Sequence, residues 1–137
     1  MKIISACLAG INCKYDCGSN HCEKVIEMVR KNEAILVCPE QLGGLTTPRP
    51  PAEQRGNKVF TRDGNDVTAE FQKGAEEVLR IARLHSCKEA ILKARSPSCG
   101  SGKIYDGTFS RNLTDGDGIT AALLQKNNIK VFTEEDI

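Results

Sequence analysis

The chain has 137 residues, a formal net charge of +1, 27% charged residues and 4% aromatic residues, with no Trp. This composition lacks the high net charge of a disordered segment and the basic field of a general nucleic-acid binder. The scarcity of aromatic side chains also argues against a stacking platform for single-stranded nucleic acid, so we expect no DNA partner. The length predicts one domain over residues 1–137, and nothing in the sequence indicates an oligomeric state.

The N-terminal residues lack the apolar stretch and small-residue cleavage site of a secretory signal, and no apolar run is long enough to cross a bilayer. We therefore expect a cytoplasmic protein with no membrane partner. The sequence contains seven cysteines. Because disulfides are rare in a reducing cytoplasm, this number predicts metal binding or catalysis for some of the thiols.

Short apolar segments alternate with helical patterns along the chain, which is typical of a parallel sheet built from βαβ units. The first predicted strand, residues 2–6, leads to a helix that Ser19 or Asn20 would cap. The second predicted strand, residues 34–37, is followed by a long connection over residues 39–67. That connection is rich in Gly and Pro and contains Asp63 followed by Gly64, which predicts a hairpin turn.

The same pattern continues in the second half of the chain. A helix capped by Thr68 precedes the third predicted strand, residues 89–93, which a second long connection over residues 94–116 follows. A third helix begins near Asp117, before the fourth strand at residues 129–132. Right-handed crossovers then predict a three-layer α/β sandwich, with a mainly parallel four-stranded sheet in the order 2-1-3-4 and helices on both faces.

Three cysteines lie just beyond predicted strands. Cys7 follows the first strand, Cys38 the second, and Cys99 lies in the connection after the third. Open α/β sheets bind ligands outside the carboxyl ends of their strands, so we expect these thiols to meet there. Three thiolates at one point repel each other unless a cation neutralises them, which predicts a metal–sulfur site. The alternative is that they are small buried hydrophobic residues.

The other cysteines carry weaker signals. Cys13 lies close enough to Cys7 along the chain to be a candidate auxiliary or fourth thiol. The spacing of Cys13, Cys17 and Cys22 matches neither a zinc hook nor a ferredoxin motif. Packing is the favoured explanation for Cys17, Cys22 and Cys87. The sequence also lacks a phosphate loop, a dinucleotide fingerprint and the C-x5-R motif of cysteine phosphatases.

Charged residues in the two long connections are placed to surround this site. Glu40 follows Cys38 by two residues and could act as a general acid or base beside a metal. Arg49 and Arg95 could bind a substrate carbonyl or anion, or they could pair with a carboxylate such as Glu53.

The second connection adds hydroxyl groups and glycines. Ser96 and Ser98 precede Cys99, and either hydroxyl could orient a ligand, relay a proton or merely cap the loop. Residues 100–102, Gly-Ser-Gly, would let backbone N–H groups turn toward an anion.

Motifs over almost the whole chain resemble those of the bacterial thiouracil desulfidase family: SACL at residues 5–8, NCKYD at 12–16, CPE at 38–40, GGL at 43–45, TPRPPAE at 47–53, DVT at 66–68, ILK at 91–93, SPSCG at 96–100, IYDG at 104–107 and GITAALL at 118–124. The resemblance implies a [4Fe-4S] cluster bound by Cys7, Cys38 and Cys99, with one open iron. It also implies that Glu40 and Ser96 are the catalytic polar pair, and that aerobic preparations can lose the cluster.

The reaction implied by this resemblance is a non-redox hydrolysis. The open iron would polarise the C=S bond of a thiolated pyrimidine such as 2-thiouracil, and water assisted by Glu40 would release hydrogen sulfide. Two alternatives stay open from the residues alone. One is a non-enzymatic zinc-binding, iron–sulfur-binding or sulfur-carrier domain; the other is a metal-free cysteine nucleophile, for which the sequence offers no credible base.

Overall fold

The computed structural model describes residues 1–137. Its strands are β1 (Lys2–Ser5), β2 (Ala34–Val37), β3 (Ala52–Arg55), β4 (Lys58–Thr61), β5 (Glu89–Leu92), β6 (Lys103–Tyr105), β7 (Leu113–Asp115) and β8 (Lys130–Thr133). Its helices are α1 (Glu23–Arg30), α2 (Pro39–Leu42), α3 (Thr68–Leu84) and α4 (Ile119–Lys126), with 3-10 helices at Ala6–Ala9 and Glu134–Asp136. No helix has both the length and the apolar character needed to span a membrane.

The central sheet has the strand order β2-β1-β5-β8, and all of its pairs are parallel. These strands coincide with the four predicted apolar segments, so the predicted order 2-1-3-4 is confirmed. In the register of the sheet, Ile3 pairs with Ile35 on one side and with Ala90 on the other. The carboxyl ends of β1, β2 and β5 therefore lie side by side at one edge.

Helices cover both faces of this sheet, as predicted. Side chains alternate between the faces along each strand. Ile3 and Ala90 pack against α3 and α4 in the larger hydrophobic cluster, whereas Ile4 and Ile91 pack on the opposite face with Val25 of α1. The central strands β1 and β5 are hydrophobic without strict alternation because both of their faces are buried.

The two long connections contain two small hairpins, β3–β4 and β6–β7, that the sequence analysis did not predict. β3 pairs with β4 and β6 pairs with β7, both antiparallel. The turn between β3 and β4 consists of Gly56 and Asn57, with Gly56 at φ +62°. The turn predicted at Asp63 and Gly64 is present after β4, where the chain reverses and Asp66 pairs antiparallel with Phe60.

The predicted helix caps are also wrong. α1 begins at Glu23, with Cys22 rather than Ser19 or Asn20 at the N-cap. Thr68 is the first residue of α3, and its hydroxyl accepts a hydrogen bond from the Val59 backbone N–H instead of capping the helix. The Thr68 hydroxyl therefore bonds to β4, a tertiary contact, and not to the first turn of its own helix.

Two glycines bring α2 into contact with α3. A Cβ atom on Gly74 would lie 1.9 Å from the Pro39 carbonyl oxygen, and one on Gly43 would lie 2.0 Å from the Glu70 carbonyl oxygen. No other residue type permits backbones to approach this closely. Since α2 directly follows Cys38 and carries Glu40, this contact fixes where both side chains stand.

We expect Gly74→Ala to lower the free energy of unfolding by about 1–3 kcal/mol, because the new methyl group must push α2 away. In an unobstructed helix the same change would stabilise by about 1 kcal/mol. Equilibrium unfolding in urea measures the effect. Lys73→Ala, at the exposed neighbouring position of α3, is the control. A Gly74→Ala protein as stable as wild type would contradict the packing argument.

Candidate active site

A cavity of about 460 Å³ opens at the carboxyl-end edge of the central sheet. This volume lies in the range of about 300–1,000 Å³ that is typical of small-molecule sites. Its walls come from the ends of β1, β2 and β5 and from both hairpins. The cavity is thus formed by the long connections where they pass over the ends of the parallel strands.

Four thiols line this cavity, those of Cys7, Cys13, Cys38 and Cys99. Cys7 lies on the 3-10 helix after β1, Cys38 is the N-cap residue of α2 after β2, and Cys99 lies in the connection after β5. Cys38 Sγ is 3.7 Å from the Cys13 carbonyl oxygen. The structure therefore brings together the three strand-end cysteines and the auxiliary candidate, all as free thiols.

The protein environment does not favour three thiolates by itself. Burial raises the pKa of Cys99 to about 12 and also raises the pKa of Cys7. A hydrogen bond with the Cys13 thiol lowers the pKa of Cys38 to about 6 and raises that of Cys13. Coordination to a cation deprotonates a thiol directly, so a metal centre would supply the charge compensation that these protein groups lack.

Two polar side chains that the sequence analysis missed support the cysteines. Asn20 Nδ2 donates to Cys7 Sγ at 3.6 Å. Ser5, 2% exposed, donates to Cys99 Sγ at 3.3 Å and accepts from the Lys93 backbone N–H at 3.0 Å. Ser5 thereby joins the ends of β1 and β5 to the loop that carries Cys99. The only sequence signal was a serine at the end of a buried strand.

Arg49 holds Glu40 in place beside the thiols. Its Nε donates to Glu40 Oε1 at 3.1 Å, and its side chain is 6% exposed. The remaining guanidinium nitrogens donate to Thr46, Thr47 and the Cys13 carbonyl oxygen. Arg49 also lines the cavity, so its substrate-binding role stays a prediction beside this contact with Glu40. Burial raises the pKa of Glu40, and Arg49 opposes that shift.

The two serines before Cys99 have different environments. Ser96 lines the cavity, and its Oγ accepts hydrogen bonds from the backbone N–H groups of Ser98 at 3.1 Å and Cys99 at 3.0 Å. Ser98 is 1% exposed, bonds to Thr120 Oγ1 at 2.8 Å and does not line the cavity. The expectation that Ser98 contacts the substrate is corrected by this burial.

The remaining candidates in this connection are also placed by the structure. Arg95 lines the cavity, and its guanidinium is paired with Glu135 at the cavity margin. The backbone N–H groups of Gly100 and Gly102 donate to Ser96 and Asp117. These N–H groups are therefore engaged within the protein, contrary to the expectation that they face an anion.

The three other cysteines lie outside the cavity. Cys87 is buried in the larger hydrophobic cluster, and Cys22 packs against the smaller one, as predicted. Cys17 is exposed, with φ +66°, so packing does not account for it.

The donor set of the cavity suits a metal–sulfur centre. Four cysteine thiols line it, and cysteine thiolates are the usual ligands of iron–sulfur clusters. No group of three or more His, Cys, Asp or Glu side chains is arranged to hold one metal ion.

Known proteins share this architecture. The family model described as 2-thiouracil desulfurase matches residues 3–136. YbbK, an uncharacterised protein of Bacillus subtilis (strain 168), is 41% identical over 147 aligned residues, which cover 100% of this chain and 97% of YbbK. A solved structure described as the [4Fe-4S]-dependent thiouracil desulfidase TudS has a TM-score of 0.95 at 44% identity, covering 99% of this chain and 91% of TudS.

We expect Ser5→Ala to destabilise the protein by about 1–3 kcal/mol, because the Lys93 N–H would be left buried without a partner. Thermal or urea unfolding of the protein measures this loss. The control is Ser110→Ala, an exposed hydroxyl whose hydrogen bond is to Thr108 two residues away, for which a change within about 0.5 kcal/mol is expected. Equal stability of the two variants would disprove the role assigned to Ser5.

Proposed function

This chain belongs to the 2-thiouracil desulfurase family, and we propose that it uses a [4Fe-4S] cluster to release hydrogen sulfide from a thiolated pyrimidine such as 2-thiouracil. The observation that carries the proposal is the convergence of three strand-end thiols with Glu40 and Ser96 around one cavity. The activity described for TudS supports it. The overall conversion replaces C=S by C=O, with water as the source of oxygen, and it requires no electron acceptor.

Cys7, Cys38 and Cys99 are the residues that would hold the cluster, leaving one iron without a protein ligand. Cys13 also lines the cavity and stays available as an auxiliary thiol. When bound, the cluster supplies a thiophilic Lewis acid that withdraws electron density from the carbon of the C=S group. All other steps of the reaction would be carried out by side chains of this chain.

Glu40 is suited to accept a proton from the attacking water. Its Oε1 is bonded to Arg49, which fixes the carboxylate and leaves Oε2 for the water. A carboxylate whose pKa is raised by burial is a stronger base than an exposed one, and the fixed Arg49 guanidinium opposes this rise in pKa. Both effects suit a general base beside a metal.

Ser96 is suited to donate a hydrogen bond into the cavity. Two backbone N–H groups already donate to its Oγ, so the hydroxyl proton is free to point toward the substrate. Donation to the oxygen also polarises the hydroxyl group and strengthens it as a donor. A substrate nitrogen or the developing oxyanion would be its acceptor.

The proposal includes one desulfidase-like domain over residues 1–137 that acts on a small molecule in the cytoplasm. The thiols, Glu40 and Ser96 all come from this chain. All seven cysteines are free thiols, which suits a reducing compartment.

We expect Cys7→Ala, Cys38→Ala and Cys99→Ala each to lose most of the broad visible absorption gained on anaerobic reconstitution with iron and sulfide. Sulfide release from 2-thiouracil should fall in parallel, because each cluster ligand is needed. Iron and sulfide analysis measures the first effect. Cys17→Ala, an exposed cysteine outside the cavity, should behave like wild type. The cluster proposal is wrong if all three cavity variants keep their iron.

We expect Glu40→Gln to lower kcat by about 10²–10⁴-fold, because the amide cannot accept the proton from water. Iron content should be unchanged, since Glu40 is not a cluster ligand. The measurement is the rate of sulfide release by reconstituted enzyme, normalised to bound cluster. Glu23→Gln, which removes an exposed carboxylate on α1, is the control. A wild-type rate in Glu40→Gln would remove Glu40 from the mechanism.

A further inference from the structure

Residues 106–112, here called the aromatic loop after Phe109, join β6 to β7. Phe109 lines the cavity. Besides the hydrogen bond of the Asp106 N–H to the Asn112 carbonyl oxygen within its own hairpin, the loop is held by β3. Glu53 Oε1 accepts hydrogen bonds from the backbone N–H groups of Gly107 at 3.0 Å and of Phe109 at 3.1 Å. Arg55 Nε donates to the Gly107 carbonyl oxygen at 2.9 Å.

The backbone of the aromatic loop adopts conformations that it would not retain unaided. Phe109 has φ +56° and Arg111 has φ +61°, a region that bulky L-residues rarely occupy. A Cβ atom on Gly107 would lie 2.6 Å from the Gln54 carbonyl oxygen, so the loop is pressed against β3. The Arg62 guanidinium lies 5.6 Å from the centroid of the Phe109 ring and holds the ring from a second direction. These contacts offset the cost of the conformation.

The neighbouring residue of β3 holds the segment that carries Ser96 and Cys99. Gln54 is 7% exposed, and its Nε2 donates to the carbonyl oxygens of Pro97, in that segment, and of Asp117, each at 2.9 Å. Successive side chains of a strand point to opposite sides. Glu53 and Gln54 thus tie β3 to two different segments that line the cavity.

We propose that Phe109 contacts the face of the planar heterocycle and that Glu53 is the positioning residue that holds Phe109 there. The inference rests on the proposed function and adds the determinant for the ring of the substrate. The thiols and Glu40 would act only on the C=S group, which is present in any thioamide. An aromatic wall would select a flat aromatic ring, since bases stack on aromatic side chains with a substantial gain in affinity.

The test is steady-state kinetics of reconstituted holoenzyme with 2-thiouracil. We expect Phe109→Ala to raise KM about tenfold to a hundredfold with little change in kcat or iron content, and Phe109→Tyr to restore KM. Glu53→Ala should raise KM in the same way, and Glu53→Gln should restore part of the loss. The double variant Glu53→Ala/Phe109→Ala should be no worse than Phe109→Ala, because Glu53 acts through the ring. Thr108→Ala, an exposed position of the same loop, is the control.

A second measurement separates this inference from the desulfidase proposal. The chain has no Trp, so Phe109→Trp introduces a single fluorescent reporter. Titration of that holoenzyme with uracil, which has no sulfur to lose, should quench the emission to saturation, and Glu53→Ala should weaken the binding. An inactive wild-type holoenzyme would refute only the desulfidase proposal. Unchanged KM in Phe109→Ala, additive effects in the double variant, or no saturable quenching would overturn the inference.

Discussion

The backbone of β1 hydrogen-bonds to β2 on one side and to β5 on the other, with all three strands running in the same direction. Parallel pairing aligns the carboxyl ends of the strands, so Cys7, Cys38 and the loop of Cys99 emerge at one edge although they are distant in sequence. Ser5 reinforces this alignment, because its hydroxyl bonds to both β5 and Cys99. Without this register there would be no common cavity for the thiols.

The positions of the reactive side chains depend on contacts that lie outside the cavity. The backbone approach of α2 and α3 at Gly43 and Gly74 fixes the segment that carries Cys38 and Glu40. Adjacent residues of β3 then hold two further segments of the lining, Glu53 the aromatic loop and Gln54 the segment of Ser96 and Cys99. The site is therefore held by three independent elements, the central sheet, the α2–α3 contact and the β3 strand. This distribution suits a cavity that must hold both a metal cluster and a small substrate in a fixed relation.

Sequence patterns predicted well wherever burial on both faces dictated composition. The four central strands and the buried stripe of α3 were recognised because apolar residues recur at the period of each element. In α4 the expected buried residues were Ile119, Ala122 and Leu123, whereas Thr120, Ala121 and Leu124 are buried. The caps of α1 and α3 and the turn between β3 and β4 were not recognised, because short polar residues at those positions have several possible partners. Thr68 illustrates this: its hydroxyl reaches β4, a partner that local sequence does not reveal.

The sequence by itself determined which cysteines follow strands, because the hydrophobic period of a strand is a local property. The alternation of strands with helices then predicted a parallel sheet, and hence that Cys7, Cys38 and Cys99 meet at one edge. Only the tertiary structure decided what the polar neighbours do. Arg49 and Ser98 looked equally able to contact a ligand, yet Arg49 lines the cavity and bonds to Glu40, whereas Ser98 is buried against Thr120. A hydrogen-bonding side chain takes its role from the partners that folding brings within reach, and those partners are set by packing between distant segments.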